Sequence, residues 1–175
     1  MAANVEPIVI VDYDDEWPRA FEAERAVVAD AVHDWIVGGI EHVGSTAVVA
    51  MPAKPVVDIL VGVRSLAASR GAIPRLEAIG YGYAPYRADV MHWLCKPSRT
   101  VRTHHLYLVP FGSRTWIERL AFRDYLRAHA DVAAEYASLK RMLARRHAHD
   151  RDAYTDAKAS FIARVLRLAA AETQR

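Results

Sequence analysis

Apolar residues along this chain follow two periods in succession. Up to about residue 110, short apolar runs alternate with stripes at helical spacing, and beyond Ser113 only helical spacing remains. Residues 8–11, Ile-Val-Ile-Val, read as a short strand. Asp14-Asp15 ahead of Trp17-Pro18 reads as a capped helix start with proline in the first turn. Trp17, Phe21, Val28, Val32 and Trp35 share one face of that helix, which is expected to end at Gly38-Gly39. Ile40 to Val43 forms a strand running into Gly44-Ser45-Thr46, Pro52 to Pro55 break the chain, and Val56 to Val63 reads as a buried central strand. Ser65 caps a helix expected to reach Ala78, and Gly80 and Gly82 end it. Strands follow around Met91–Lys96 and Thr103–Val109. Two long helical stripes close the chain: Val132, Tyr136, Leu139 and Leu143, then Tyr154, Ala157, Phe161, Val165 and Leu168. The pattern predicts an α/β (α+β) fold: a sheet-rich part over about 8–110 and a helical part over about 113–172, in one domain spanning 1–175.

Composition narrows the class. Of 175 residues, 53% are hydrophobic and 25% charged, the balance of a globular protein. No apolar run approaches the roughly 20 residues that cross a bilayer, and no basic-then-apolar leader is visible. Cys95, the single cysteine, forms no disulfide framework and reads as a buried, inert thiol. A cytoplasmic location without a membrane is expected. Charge is uneven: residues 1–95 carry a net −6 and residues 96–175 a net +8. The basic half can wall a cleft for an anionic ligand, or the two halves can simply neutralise each other. Clustered Lys/Arg with interleaved aromatics is missing, so nucleic acid is not the expected partner; a small molecule is.

Three places invite chemistry. Gly44, Ser45 and Thr46 end a strand in a small-residue turn whose N–H and hydroxyl groups can hold phosphate oxygens, or which is merely a tight turn. It is not a Gly-x4-Gly-Lys-Ser/Thr loop. Asp58 interrupts an otherwise apolar strand; a buried, unpartnered carboxylate costs several kcal/mol, so it requires a cation, a donor or water. It reads either as a structural pair or as a metal ligand or catalytic carboxylate. In His104-His105, alternation puts His104 with Leu106 and Leu108, towards the core, and His105 with Tyr107, towards a polar cleft. Arg123 and Arg127, and likewise Tyr154 and Lys158, stand one turn apart and can serve a phosphate or ordinary helix-surface pairing.

Several of these stretches together resemble the GrpB-like family: Ile40–Val48, Pro52–Val61, Arg102–Leu106, Phe122–Arg127, Tyr154–Phe161, and Tyr13-Asp14 with Trp17-Pro18. The likeness runs over roughly residues 8–170. It implies the nucleotidyltransferase superfamily fold, a mixed β-sheet with packed helices, in a family of poorly defined activity. It also implies kinship with a domain fused behind dephospho-coenzyme A kinase in some bacteria, although no kinase part is present in this sequence.

In nucleotidyltransferases a Gly-Ser turn precedes a strand with two carboxylates two residues apart. Gly44-Ser45 resembles the turn and Asp58 the first carboxylate, but Leu60 stands where the second belongs. Val49-Ala50 and Tyr107 also depart from the family's Pro-Gly and second histidine. The resemblance therefore implies Mg²⁺ or Mn²⁺ on Asp58, helped by Glu41 or His105. Gly44, Ser45 and Thr46 would cradle phosphate, with Lys54, Arg123, Tyr154 and Lys158 beside it. The leading expectation is transfer of a nucleotidyl or other phosphate-containing group to a small acceptor. The alternatives are a non-catalytic nucleotide- or anion-binding domain, and an enzyme using Asp58 and His105 as acid and base.

Overall fold

In the computed structural model, which describes residues 7–173, five strands form one mixed sheet. They are β1 (Ile36–Val43), β2 (Val57–Val63), β3 (Gly82–Ala84), β4 (His92–Pro97) and β5 (Arg102–Pro110), in the spatial order β1-β2-β5-β4-β3. Only β2 and β5 run parallel. The β1–β2, β5–β4 and β4–β3 pairs are antiparallel. The helices are α1 (Glu16–Val32), α2 (Ala72–Ala78), α3 (Arg114–Ala128), α4 (Ala130–Arg146), α5 (Arg151–Asp156) and α6 (Ala159–Thr173). Among the described residues, no helix is long and apolar enough to cross a membrane.

Alternation along the two central strands assigns each face of the sheet a different task. Ile59, Val61, Leu106 and Leu108 point to one face, where Trp17, Phe21, Val28 and Val32 of α1 and Leu76 of α2 complete a cluster that excludes water. Leu60, Tyr107 and Val109 point to the other, under Trp116 and Leu120 of α3. Asp58 and His105 lie on this second face, beyond the end of the α3 contact. The C-terminal helices build a further cluster in which Tyr125, Leu126, Val132, Tyr136, Phe161 and Val165 enclose Val48 and Met51. That cluster ties the turn after β1 to the helical half.

The elements depart from the pattern-based reading where backbone chemistry overrides periodicity. The run 8–11 makes a single bridge, Val11 to Ala53, and Ile8 packs instead with Leu143, Ala144 and Tyr154. The first helix stops at Val32, and a 3₁₀ turn at His33–Trp35 leads straight into β1. Gly38 and Gly39 therefore lie inside a strand: the Phe111 ring packs where a Gly38 side chain would stand, and Gly39 has φ of +87°. Ser65 accepts a bond from the Ala68 N–H, but this closes a turn, and the helix starts only at Ala72. The final stripe is two helices, α5 and α6, with Lys158 at the break. β3 has three residues, too few to show a period.

Gly62 tests the packing of β1 on β2. A Cβ there would lie 2.9 Å from the Gly38 backbone and 3.0 Å from Trp116, neither free to yield. Gly62→Ala is expected to destabilise by about 1–3 kcal/mol in denaturant unfolding. Gly38→Ala should cost less, because the half-exposed Phe111 ring can swing aside.

Candidate functional site

The parallel pairing of β2 with β5 sets Asp58 opposite His105. Asp58 Oδ1 is bonded to His105 Nδ1 at 3.0 Å and accepts from the Tyr107 hydroxyl at 2.9 Å. The Arg119 guanidinium lies 3.9 Å from the centroid of the Tyr107 ring. Burial works to raise the Asp58 pKa, but the His105 hydrogen bond and charge, Arg119 and the Tyr107 hydrogen bond outweigh it, and the net direction is down. The carboxylate is therefore ionised. Its other oxygen, Oδ2, faces the turn after β1. A Cβ on residue 44 would lie 2.2 Å from Oδ2, and Gly44 has φ of +72° and ψ of −171°, a region open almost only to glycine.

Beside this carboxylate lies a cavity of about 100 Å³ lined by Ser45, Thr46, Ala53, Lys54, Val56, Asp58, His105, Lys140, Tyr154 and Lys158. Lys54 comes from the segment between the turn and β2, where Ala53 is bridged to Val11 in both directions at 2.9 and 3.0 Å. The Lys54 and Lys158 ammonium groups lie 4.5 and 4.3 Å from the centroid of the fully buried Tyr154 ring. Lys140, from α4, donates to the Pro52 carbonyl and lies 4.9 Å from the centroid of the Tyr136 ring. Among the described residues none of these three ammonium groups is ion-paired; Asp58, the carboxylate of the cavity, engages His105 and Tyr107 through Oδ1, and its charge acts to raise the pKa of all three lysines against the effect of burial. Burial lowers the Lys140 pKa to about 7, with repulsion from Lys158 and Arg141 adding to it. Burial and Lys54 lower Lys158 to about 8, and burial lowers Lys54 as well.

The structure thus gathers Gly44, Ser45, Thr46, Lys54, Asp58, His105, Tyr154 and Lys158 at one place. Glu41 and Arg123 lie elsewhere. Arg123 Nη1 donates to Glu41 Oε2 at 2.7 Å and to the His42 carbonyl at 3.0 Å, and its Nε bonds Asp124 at 2.7 Å. Arg127 Nε donates to the Ala47 carbonyl at 2.9 Å. These α3 arginines brace β1 and the turn and line a separate, open groove of about 450 Å³ with Phe21, Glu22, Arg25, Glu41 and His42. His42, stacked on Phe21 and bonded to the Thr46 hydroxyl at 2.9 Å, stands between groove and cavity; burial lowers its pKa to about 4. His104 turns away from the cavity and bonds the Thr103 hydroxyl at 2.9 Å.

Lys140 escaped the sequence reading, although a signal was present. It falls one turn after Tyr136 on the apolar stripe of α4, an expensive place for a lysine unless something requires it. Alternation puts Tyr107 on the face of His105, but its bond to Asp58 depends on the register of β2 against β5.

A divalent ion fits this donor set poorly. Leu60, where the resemblance puts a second carboxylate, is sealed in the cluster with Val43, Met91, Tyr107, Val109 and Trp116. Glu41 is engaged by Arg123, and Asp58 Oδ1 by His105 and Tyr107. Among the described residues no group of three or more His, Cys, Asp or Glu side chains forms a metal-sized cluster. Three lysines, rather than further carboxylates, share the cavity with Asp58.

The fold is of the nucleotidyltransferase type. A crystal structure of the Cid1 poly(U) polymerase bound to MgATP superposes with a TM-score of 0.56 at 15% identity, covering 79% of this chain and 45% of that one. More specifically, the chain belongs to the GrpB family, whose model, described as GrpB protein, matches residues 7–168. The crystal structure of the conserved protein GrpB from Enterococcus faecalis matches with a TM-score of 0.85 and 30% identity, over 95% of this chain and all of that one. The glutamate-rich protein GrpB of Alkalihalophilus pseudofirmus is 33% identical over 172 residues, 95% of this chain and 98% of its own. A dephospho-CoA kinase of Mycolicibacterium paratuberculosis is 30% identical over 87% of this chain, which spans 43% of that protein.

Two outcomes follow from this geometry. Because Lys140 and Lys158 bind protons less readily folded than unfolded, the unfolded chain carries more protons between about pH 7 and the ordinary lysine value of 10.5. Stability of the ligand-free protein should therefore gain a rising contribution as pH increases from 7 to 9. Guanidinium unfolding at both pH values checks this, and Lys140→Met should flatten the rise. Gly44→Ala should cost about 1–3 kcal/mol in the same assay, because an alanine there is strained and collides with a carboxylate held in place by two hydrogen bonds.

Proposed function

We propose that the cavity beside Asp58 binds the phosphate group of a small-molecule ligand, and that Lys54, Lys140 and Lys158 supply the neutralising charge without a divalent ion. The observation that carries this reading is the set of three converging ammonium groups with no ion pair among the described residues. Charges this deep are costly unless compensated, and an anion entering the cavity supplies the compensation. Phosphate would raise the lysine pKa values again and draw charge-assisted bonds from them. The Ser45 hydroxyl supplies a further polar contact, and Asp58 is bonded to the His105 ring at the cavity edge. On this reading the fold is retained for binding a phosphate-bearing molecule.

The likeness to nucleotidyltransferases favours a second reading, transfer of a nucleotidyl or related group with Mg²⁺ or Mn²⁺ on Asp58. One titration separates the two. Tripolyphosphate in the presence of EDTA should raise the melting temperature of the wild type, and at a hundred times its Kd it adds about 2.7 kcal/mol. Lys158→Ala and Lys54→Ala should each weaken binding by about tenfold or more, as loss of a charge-assisted hydrogen bond does. Stabilisation that appears only with Mg²⁺ or Mn²⁺, and vanishes in Asp58→Asn, would replace the first reading with the second. No stabilisation under either condition overturns both.

A further inference from the structure

One buried nitrogen of the site is unpartnered among the described residues. His105 forms part of the cavity wall, and its Nδ1 lies 3.0 Å from Asp58 Oδ1. Ionised Asp58 can only accept, so in the neutral ring the proton sits on Nδ1 and the lone pair on Nε2. Nε2 is buried and makes no hydrogen bond among the described residues. His92 and His104 each have a ring nitrogen in the same condition, but neither residue lines the cavity or the groove. The Trp93 and Tyr107 rings meet the imidazole edge to face, with centroids 5.4 and 6.2 Å from its own, so packing as well as the Asp58 bond holds it in place.

A phosphate in the cavity leaves that lone pair one partner. Its oxygens take hydrogen bonds from Lys54, Lys140 and Lys158. Fully ionised, it has no proton for Nε2 to accept, so the atom that meets the lone pair is phosphorus. The surrounding ammonium groups stabilise the charge that spreads over the phosphoryl oxygens as phosphorus changes partners. The cavity of about 100 Å³ is small beside the roughly 300–1,000 Å³ of complete small-molecule sites, so the rest of a phosphoryl donor held there is short.

From this we infer that His105 is a nucleophile whose Nε2 takes the phosphoryl group of a small acyl phosphate held by the three lysines. The inference rests on the phosphate reading above and adds a covalent step to it. The Nε2 lone pair forms the N–P bond while the bond from phosphorus to the acyl oxygen breaks, and the electron pair of that bond leaves on the carboxylate. The departing carboxylate needs no proton, which suits a cavity whose own carboxyl group is ionised and offers none. The ring gains positive charge in the step, and its Nδ1 proton stays in the bond to Asp58. Asp58 is thus a positioning residue: it fixes the tautomer and balances the charge on the ring.

Incubation of the whole protein with acetyl phosphate in EDTA, followed by mass spectrometry under non-acidic conditions, tests it. Phosphate should appear on His105 about tenfold or more faster than on any other histidine, because the donor is held beside it. Tripolyphosphate at a hundred times its Kd should suppress that labelling about a hundredfold by occupying the cavity. Asp58→Asn should slow labelling by about tenfold or more through the wrong tautomer, although losing a negative charge favours anion binding; a merely structural role would not split the two. Stabilisation by tripolyphosphate without faster labelling of His105 overturns the nucleophile and leaves the phosphate reading intact, as does phosphate found on Ser45 or Thr46 instead. Labelling of His105 that tripolyphosphate does not suppress also overturns it, since the donor then lies outside the lysine cavity. Absence of both binding and labelling overturns the phosphate reading, and the covalent step with it.

Discussion

The parallel ladder between β2 and β5 is the constraint on which the site depends. It is the one parallel pairing in the sheet, and its register sets Asp58 against His105 and Leu60 against Tyr107. A shift of one residue would turn Asp58 into the cluster under α1 and expose Ile59. Apolar burial on both faces therefore enforces the register, and the register in turn sets the geometry of the acid, the imidazole and the phenol. Gly44 completes the arrangement because only a residue without a side chain leaves room for Oδ2.

Charge balance differs between the two sides of the sheet in an informative way. On the α1 side, Lys96 is held by Glu24 at 2.9 Å, so that half-buried lysine has its counter-charge within the fold. On the α3 side, Lys54, Lys140 and Lys158 share a cavity with one carboxylate, Asp58, whose Oδ1 is bonded to His105 and Tyr107. A lysine that serves packing alone is expected to resemble Lys96. On the proposed reading, three lysines facing one carboxylate leave positive charge for an exogenous anion to neutralise.

The arginines of α3 support the backbone of the turn from the neighbouring groove. Arg123 and Arg127 reach the carbonyls of His42 and Ala47 on either side of the Gly-Ser turn. They fix the path of the backbone that presents Ser45 and Thr46, while Glu41 neutralises Arg123. Helical spacing places two guanidinium groups on one face of α3, but it cannot distinguish a phosphate from a main-chain carbonyl as their acceptor.

Much of this could be read from residue order. A lone acid in an apolar strand had to find a donor, alternation separated His105 from His104, and the turn at Gly44 was visible as a small-residue break; each is a consequence of local periodicity or solvation. The family resemblance, rather than periodicity, indicated the nucleotidyltransferase scaffold. Residue order could not show that Gly38 and Gly39 sit inside β1, because their role depends on Phe111 and on the strand path, nor that Lys158 sits at the break between α5 and α6. It likewise could not bring Lys140 across 82 residues to Asp58, or hold Glu41 away from it by means of Arg123. Those placements arise from packing among distant segments, and only the folded chain sets which charges meet and which remain unmatched.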